Sequence, residues 1–261
     1  MKYIVLVCSI GLFSLPLVSS AISDDFNDNT QDTNMWTTAS TVGSIVEQNQ
    51  RLEYSAPAPT GGSGDDNDAE WMFNHQADYD EDWNASLTVG TTLSTGSFAD
   101  GDIASMTLFL VNNDDPNNDY LELGLATGRN DSEMGGAFRG AFAELTNNDQ
   151  GQGLIPSVIT NTVTDVRMSW NASTESLLLE YNEGAGWTTL TNVALNAGAM
   201  DWGMNSNSTF SLSIDGYNEQ LAVNNGDIYA DNFEAIPEPS VLVTMLFSGL
   251  LIFFVRRNLC Q

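Results

Sequence analysis

Cysteine and histidine are nearly absent from this chain of 261 residues. It has two cysteines, Cys8 and Cys260, which lie in apolar end segments, and a single histidine, His75. A structural zinc site of the Cys/His type needs four such ligands, so none can be assembled. Catalysis by a Ser-His-Asp or Cys-His arrangement would have to use His75 itself. Because no cysteine lies between the two ends, disulfides cannot stabilise the body of the chain.

Basic residues are also scarce. Seven Lys and Arg stand against 35 Asp and Glu, which gives a formal net charge of −28. Between the ends there is no lysine, and the arginines are Arg51, Arg129, Arg139 and Arg167. Nucleic acid is excluded as a partner because phosphate binding needs clustered Lys and Arg. Direct binding of anionic lipid or polysaccharide would need bridging cations.

The N-terminus has the features of a secretory signal peptide over residues 1–21. Lys2 supplies the positive start, Ile4–Val18 is mostly apolar, and Ser19-Ser20-Ala21 places small residues at the cleavage positions. The alternative is an uncleaved N-terminal anchor. The signal peptide predicts export of the chain.

The C-terminus combines a proline-rich junction, an apolar run and a basic end. Pro237-Glu238-Pro239 is followed by the 15-residue run Val241–Val255 and then by Arg256-Arg257. As a helix the run would span about 22 Å, against a hydrocarbon core of about 30 Å. We expect it to form a membrane helix with both arginines in the cytoplasm.

This order of Pro-Glu-Pro, apolar helix and Arg-Arg resembles the PEP-CTERM sorting tail, here residues 236–261. The resemblance implies a Gram-negative bacterium that makes exopolysaccharide. It also implies an exosortase as partner, which cuts near Pro237, Glu238 and Pro239 and so releases the chain from a transient membrane anchor to the cell surface or extracellular matrix. The alternative is an ordinary single-span tail anchor with a proline-broken linker.

The residues between the ends show short alternating runs with no internal repeat. Several candidate strands follow one another at 8–12 residue spacing, separated by Gly, Asn, Asp and Ser clusters, which predicts an all-β antiparallel sandwich. Ile45–Tyr54 reads as one alternating strand, and Ala137–Leu145 as either a strand or a short helix. We expect the first and last strands to be neighbours. The residues expected to face the core are Phe26, Leu52, Leu87, Leu108, Leu110, Leu123, Met168, Trp170, Leu178 and Phe233.

Three segments resemble concanavalin A-like lectin and glucanase domains. The meander Val166–Leu190 resembles their hairpins, Asp24–Asp28 with Val46–Leu52 resembles their opening, and Tyr229–Phe233 resembles their closing strand. The resemblance implies a jelly roll over residues 22–235.

Glucanases of this superfamily carry a Glu-x-Asp-x-Glu motif, in some members with one extra residue before the last Glu. The nearest cluster, Asp78–Asp82, lacks the leading Glu, and Tyr120–Gly124 supplies a single carboxylate. Because retaining hydrolysis needs a close pair of carboxyl groups, we expect no enzymatic activity.

Calcium is the cofactor that the resemblance implies. In the glucanase-like relatives a calcium ion joins the terminal strands through an aspartate of the closing strand and carbonyl oxygens of the opening segment. Asp231 matches that aspartate, and Asp25 and Gln50 lie near the carbonyl positions. Alternatively, Asp231 caps a strand end. Asp65–Asp68 and Asp114–Asp119 lack the spacing of an EF-hand loop and are interpreted as acidic loops.

Aromatic residues near His75 are candidates for stacking on sugar rings. Trp71, Tyr79 and Trp83 cluster in sequence, although most tryptophans of a sandwich belong to its core. The resulting hypothesis is an exported, non-enzymatic surface or matrix protein that binds glycans or mediates adhesion, with extracellular polysaccharide as a partner. The alternatives are an atypical glycan-active hydrolase and a structural matrix component without a ligand.

Overall fold

The computed structural model describes residues 21–40, 42–61, 65–132, 134–148 and 150–237. Within them the chain forms β-strands and two single-turn 3₁₀ helices, at Thr95–Ser97 and Gly198–Met200. The predicted all-β class is confirmed, and every strand pair is antiparallel.

The strands are numbered in chain order. The first seven are β1 (Ile22–Asp24), β2 (Trp36–Ser40), β3 (Ser44–Gln48), β4 (Arg51–Ala56), β5 (Asp66–Asp78), β6 (Trp83–Thr91) and β7 (Ile103–Asn112). The remaining eight are β8 (Tyr120–Asn130), β9 (Gly136–Asn147), β10 (Gln150–Val158), β11 (Val163–Asn171), β12 (Ser176–Asn182), β13 (Thr188–Ala194), β14 (Thr209–Glu219) and β15 (Val223–Pro237).

Two sheets pack face to face around one core. The eight-stranded sheet has the order β13-β12-β11-β6-β15-β4-β3, with β1 paired to β15. The seven-stranded sheet has the order β10-β9-β8-β7-β14-β5-β2. Because side chains alternate between the faces of a strand, each sheet gives one face to the core and leaves the other outside.

The expected contact between the first and last strands is confirmed. Ile22, Ser23 and Asp24 pair with Ala235, Glu234 and Phe233. Asp24 fixes the turn after β1, because its carboxylate accepts hydrogen bonds from the Phe26 amide and from the Trp36 indole, both at 2.9 Å.

The core contains nine of the ten residues expected there, and Leu178 is the exception. Trp170 lies opposite Leu177, and Met168 lies opposite Leu179. The turn between β11 and β12 thus places Leu177 and Leu179 in the core and turns Leu178 to the outer face. The prediction for Leu178 was wrong because the turn, and not the run of three leucines, sets the phase of β12.

Two further expectations about strands are corrected or decided by the pairing. Ile45–Tyr54 is not one strand but the hairpin β3–β4, which turns at Asn49 and Gln50 with φ of 55° and 62°. Positive φ at both turn residues matches the twist of a two-residue hairpin. Ala137–Leu145 lies within β9 and is a strand, because β8 and β10 pair with its two sides.

The predicted terminal segments lie outside this part of the chain. Only Ala21 of the predicted signal peptide is described, and the expected membrane helix 241–255 is not. In the ranges that the structure describes, no helix has the length and apolar character needed to cross a bilayer.

Candidate functional site

The outer face of the seven-stranded sheet carries a cavity of about 540 Å³, called the outer-face groove below. It lies over β7, β8, β9 and β14, whose alternate residues fill the core. Four of its lining residues are aromatic: Tyr120, Phe138, Phe142 and Tyr217. Four are acidic: Asp66, Glu122, Glu144 and Glu219. None of the described lining residues is basic.

Strand register brings carboxyl groups of different strands together on this face. Glu122 of β8 lies directly opposite Glu144 of β9. Asp215 of β14 lies directly opposite Glu70 of β5 on one side and Thr107 of β7 on the other. Directly opposed residues have Cβ atoms about 5 Å apart, so the like charges interact strongly.

Burial and repulsion raise the pKa values of two of these groups. The pKa of Glu122 is raised to about 8, first by burial and then by the charge of Glu144. The pKa of Asp215 is raised well above its ordinary value by burial and then by Glu122 and Glu70. Both carboxyl groups are therefore held toward their protonated form at neutral pH.

The floor of this face is flat and contains one unsatisfied hydroxyl. Gly124 lies opposite Thr107, and a Cβ at Gly124 would be 2.2 Å from the Met106 carbonyl oxygen and 2.8 Å from Thr107 Cγ2. Only glycine fits there without displacing the neighbouring strand. Thr107 is fully buried, and its Oγ1 has no hydrogen-bond partner. Buried hydroxyls are rarely left in this state.

The aromatic residues singled out from the sequence lie in the core. Trp71, Tyr79 and Trp83 are 2%, 6% and 4% exposed. Trp71 packs edge-on against Phe26, Tyr79 packs against Trp170, and Trp83 packs edge-on against Phe210. The stacking role predicted for these three residues therefore lacks the exposed ring face that it needs.

Trp83 still borders a second, smaller cavity of about 70 Å³ near His75. Its indole Nε1 is buried and has no hydrogen-bond partner. Asp78, Glu81 and Asp82 line the same cavity, and the pKa of Glu81 is raised by burial and then by Asp78. The cavity has room for a few water molecules that would satisfy the indole.

The residues expected at a calcium site lie at the closing strand and near the turn between β3 and β4. The pKa of Asp231 is raised by burial first, and the charge of Asp25 adds to it. Gln50 lies in the turn, where its amide donates to Asn29 Oδ1 at 3.0 Å. Carboxylate oxygens are ligands of the kind that calcium prefers. Among the described residues, no three His, Cys, Asp or Glu side chains are gathered in a metal-holding cluster.

The predicted sorting residues are mostly beyond the described chain. Pro237 ends β15, where it is paired with Trp83, whereas Glu238, Pro239, Arg256 and Arg257 lie outside the described residues.

Sequence reasoning missed the outer-face groove. It noted Glu122 only as a single carboxylate and gave no role to Glu144, Thr107, Asp215 or Tyr217. A signal was present, since Tyr120 and Glu122 alternate with the core residues Leu121 and Leu123. What brings Glu144 and Asp215 onto the same face is the pairing of strands far apart in sequence.

Comparison with known proteins places the fold. No protein family and no curated protein matches the chain by sequence. The Emp47p carbohydrate recognition domain has a TM-score of 0.53 at 11% identity, over 83% of this chain and 95% of that one. Lectin UEA-II in complex with galactose has a TM-score of 0.54 at 9% identity, over 85% and 100%. The VIP36 exoplasmic/lumenal domain in its Ca2+/Man2-bound form has a TM-score of 0.54 at 12% identity, over 84% and 88%. At these identities the likeness is one of fold, and the body of the chain has the two-sheet antiparallel jelly-roll fold that these lectin structures share.

Proposed function

We propose that residues 22–235 form a non-enzymatic, glycan-binding domain whose site is the outer-face groove. The observation that carries the proposal is a groove of about 540 Å³ in which aromatic rings and carboxyl groups converge. Sugar rings present flat apolar faces and hydroxyl groups, which such a lining can stack on and hydrogen-bond. The solved structures of similar fold include carbohydrate recognition domains and a galactose-bound lectin, which agrees with this function.

The raised pKa values on this face suit hydrogen bonding to the hydroxyl groups of a sugar. The pKa of Glu122, at about 8, and the raised pKa of Asp215 hold both groups toward the neutral form. Neutral carboxyl groups donate and accept hydrogen bonds, which suits recognition of hydroxyl groups.

The test is a glycan array on purified residues 22–237, followed by calorimetric titration with each glycan that binds. We expect Phe138→Ala, which removes an aromatic ring from the groove, to weaken binding at least about fivefold. The matched control is Trp187→Ala, an aromatic residue 38% exposed before β13 and absent from the groove lining. No binding to any glycan, or equal loss in both variants, would refute this site.

Further proposals concern the two chain ends, calcium and the location of the domain. Residues 1–21 direct export, and residues 236–261 act as a PEP-CTERM tail that an exosortase recognises through Pro237, Glu238 and Pro239, with Arg256 and Arg257 on the cytoplasmic side of the membrane. Calcium binds near Asp231, Asp25 and Gln50. The mature domain then resides at the cell surface or in the extracellular matrix, where polysaccharide is its partner.

A further inference from the structure

The outer face of the seven-stranded sheet carries charge of one sign across four strands. Glu219 pairs with Asp66, Tyr217 with Asp68, and Asp215 with Glu70 between β14 and β5. Glu122 pairs with Glu144 between β8 and β9. Seven carboxyl groups therefore share this face, and none of the described residues that line the groove is basic.

A second feature lies beside the groove on the same sheet face, two residues after the lining residue Ser105 of β7. The Thr107 hydroxyl lies on this face between Asp215 and Gly124, is fully buried, and has no hydrogen-bond partner. A buried hydroxyl without a partner costs about 1–3 kcal/mol, which a ligand or a water held by a ligand can recover.

The aromatic residues of the groove narrow the chemistry of that ligand. Tyr120 stacks on Phe109 at a centroid distance of 5.3 Å, and Phe138, Phe142 and Tyr217 complete the lining. Aromatic faces attract cations, and they also stack on sugar rings. Carboxyl groups repel uronate and sulfate groups and form charge-assisted hydrogen bonds with ammonium groups. Carboxylates interleaved with aromatic rings therefore suit a ligand that is both cyclic and cationic.

We propose that the ligand of the outer-face groove is a cationic glycan whose sugar rings carry free amino groups. This inference rests on the proposed function, because it names the substrate class of the same site. Ammonium groups of the glycan lie against Glu122 and Glu144, and sugar rings stack on the aromatic residues. Burial and the charge of Glu144 raise the pKa of Glu122 to about 8 in the empty groove, and a bound ammonium group lowers it, so Glu122 releases its proton when the cation binds.

The experiment compares two oligosaccharides that differ in charge alone. Residues 22–237 are titrated at pH 6, where amines are protonated, with the β-1,4-linked glucosamine tetramer and with its fully N-acetylated counterpart. We expect the free-amine tetramer to bind at least about tenfold more tightly, and its affinity to fall as salt rises. Glu122→Gln and Glu144→Gln should each weaken binding of the free-amine tetramer about fivefold or more and leave binding of the acetylated tetramer nearly unchanged.

A matched control distinguishes binding in the groove from general attraction of a cationic glycan to an acidic protein. Glu234→Gln removes the same charge at an exposed position of β15 in the other sheet, so it should leave both affinities unchanged. Equal losses in Glu122→Gln and Glu234→Gln would show attraction of a polycation to an acidic protein and would overturn the site. Thermal unfolding of each variant checks that the groove variants remain folded, and Phe138→Ala tests the same groove without a change of charge.

The outcomes distinguish failure of this inference from failure of the proposed function. Equal or tighter binding of the acetylated tetramer, lost in Phe138→Ala, would overturn the cationic ligand and leave a glycan-binding groove. Binding of a uronate oligomer that needs added calcium would also overturn the cationic ligand and leave a glycan-binding groove. If no oligosaccharide binds, both proposals fall together.

Discussion

Glu122 lies between Phe109 on β7 and Glu144 on β9, with Tyr120 two residues before it on the same strand. An ionised carboxylate in these surroundings has lost water and faces a second negative charge. Its pKa of about 8 means that the folded state binds a proton more tightly than the unfolded chain does. The stabilisation is therefore complete below the unfolded pKa, near 4.5, and is lost as pH rises through about 8.

We expect the domain to become less stable between pH 5 and pH 9, with a fall in Tm of at least about 5 °C at constant ionic strength. Glu47, whose pKa burial raises to about 7, and Asp215 act in the same direction. Glu122→Gln stays neutral at every pH and should flatten the dependence, whereas the exposed control Glu234→Gln should keep the wild-type slope. Thermal unfolding followed by circular dichroism measures this. A Tm that rises over this range would contradict the raised pKa values.

Gly124 offers a steric test of the contact between β7 and β8 beside the groove. A methyl group there would meet the Met106 carbonyl oxygen at 2.2 Å, and that atom belongs to the backbone of the neighbouring strand. Gly124→Ala must push β7 away from β8, and we expect a loss of about 1–3 kcal/mol. Gly151→Ala is the control, because nothing lies within 4 Å of its added Cβ. Urea unfolding of both variants measures the difference, and equal stabilities would show that the strands separate freely.

Residue types in the sequence predicted the core better than they predicted the site. Large apolar residues at alternate positions of a strand face the core of a sandwich. Leu108 and Leu110 follow this pattern, and both are fully buried. Trp71 and Trp83 were candidates for stacking because tryptophan serves both cores and sugar sites. Their sequence neighbourhood did not reveal which sheet face they occupy, and pairing of β5 with β2 and β14 decides that for Trp71.

Among the elements, β15 connects most of the eight-stranded sheet. It pairs with β1, β4 and β6 and contains a register shift between Asp231 and Glu234 on the β6 side. Asn232 lies at this irregularity with φ of 50°, and its amide donates to Asp231 Oδ1 at 2.8 Å. Asp231 lies at this irregularity, and its pKa is raised by burial and by the charge of Asp25.

We expect calcium to stabilise the domain by joining β15 to the opening segment through Asp231 and Asp25. A ligand that binds only the folded state contributes about 2.7 kcal/mol at a hundredfold excess over Kd, or about 5–10 °C in Tm. Thermal unfolding with calcium and with chelator, at constant ionic strength, separates this effect from general screening. Asp231→Ala should abolish the response, whereas the exposed Asp201→Ala should retain it. A Tm insensitive to calcium, or a full response in Asp231→Ala, would reject the site.

The elements themselves were predictable where alternation and turn residues agreed. The hairpin β11–β12 follows from Asn171 and its neighbours, and the closing strand follows from Tyr229–Phe233. The short edge strand β2 escaped prediction because only Trp36 of its five residues is buried, so it shows no alternation. Leu178 was misplaced because a run of three leucines fits either phase, and only the pairing of Trp170 with Leu177 selects one.

At the scale of the whole molecule, the excess of negative charge is unevenly placed. Three of the four arginines of the body form ion pairs, with Glu53, Asp131 and Glu180, and the fourth, Arg139, donates to the Leu93 carbonyl. None of these four is among the residues described as lining the groove. Composition alone predicted an acidic protein that avoids anionic partners. It did not predict which acidic residues would share one sheet face, because that depends on the register of β5, β8, β9 and β14.

The chain ends supply the last prediction, which concerns processing. β15 ends at Pro237, so Glu238 and Pro239 follow the folded domain directly. Prolines disfavour helix and extended sheet pairing, so we expect an accessible backbone between the domain and the apolar run Val241–Val255.

In a host that contains an exosortase, protein recovered from the cell exterior should lack residues 241–261, as intact mass will show. Glu238→Ala should block processing and retain the protein in the membrane fraction, while Glu234→Ala, four residues earlier within β15, should be processed normally. Peptides from Val241–Gln261 in the released wild-type protein would contradict removal of the tail.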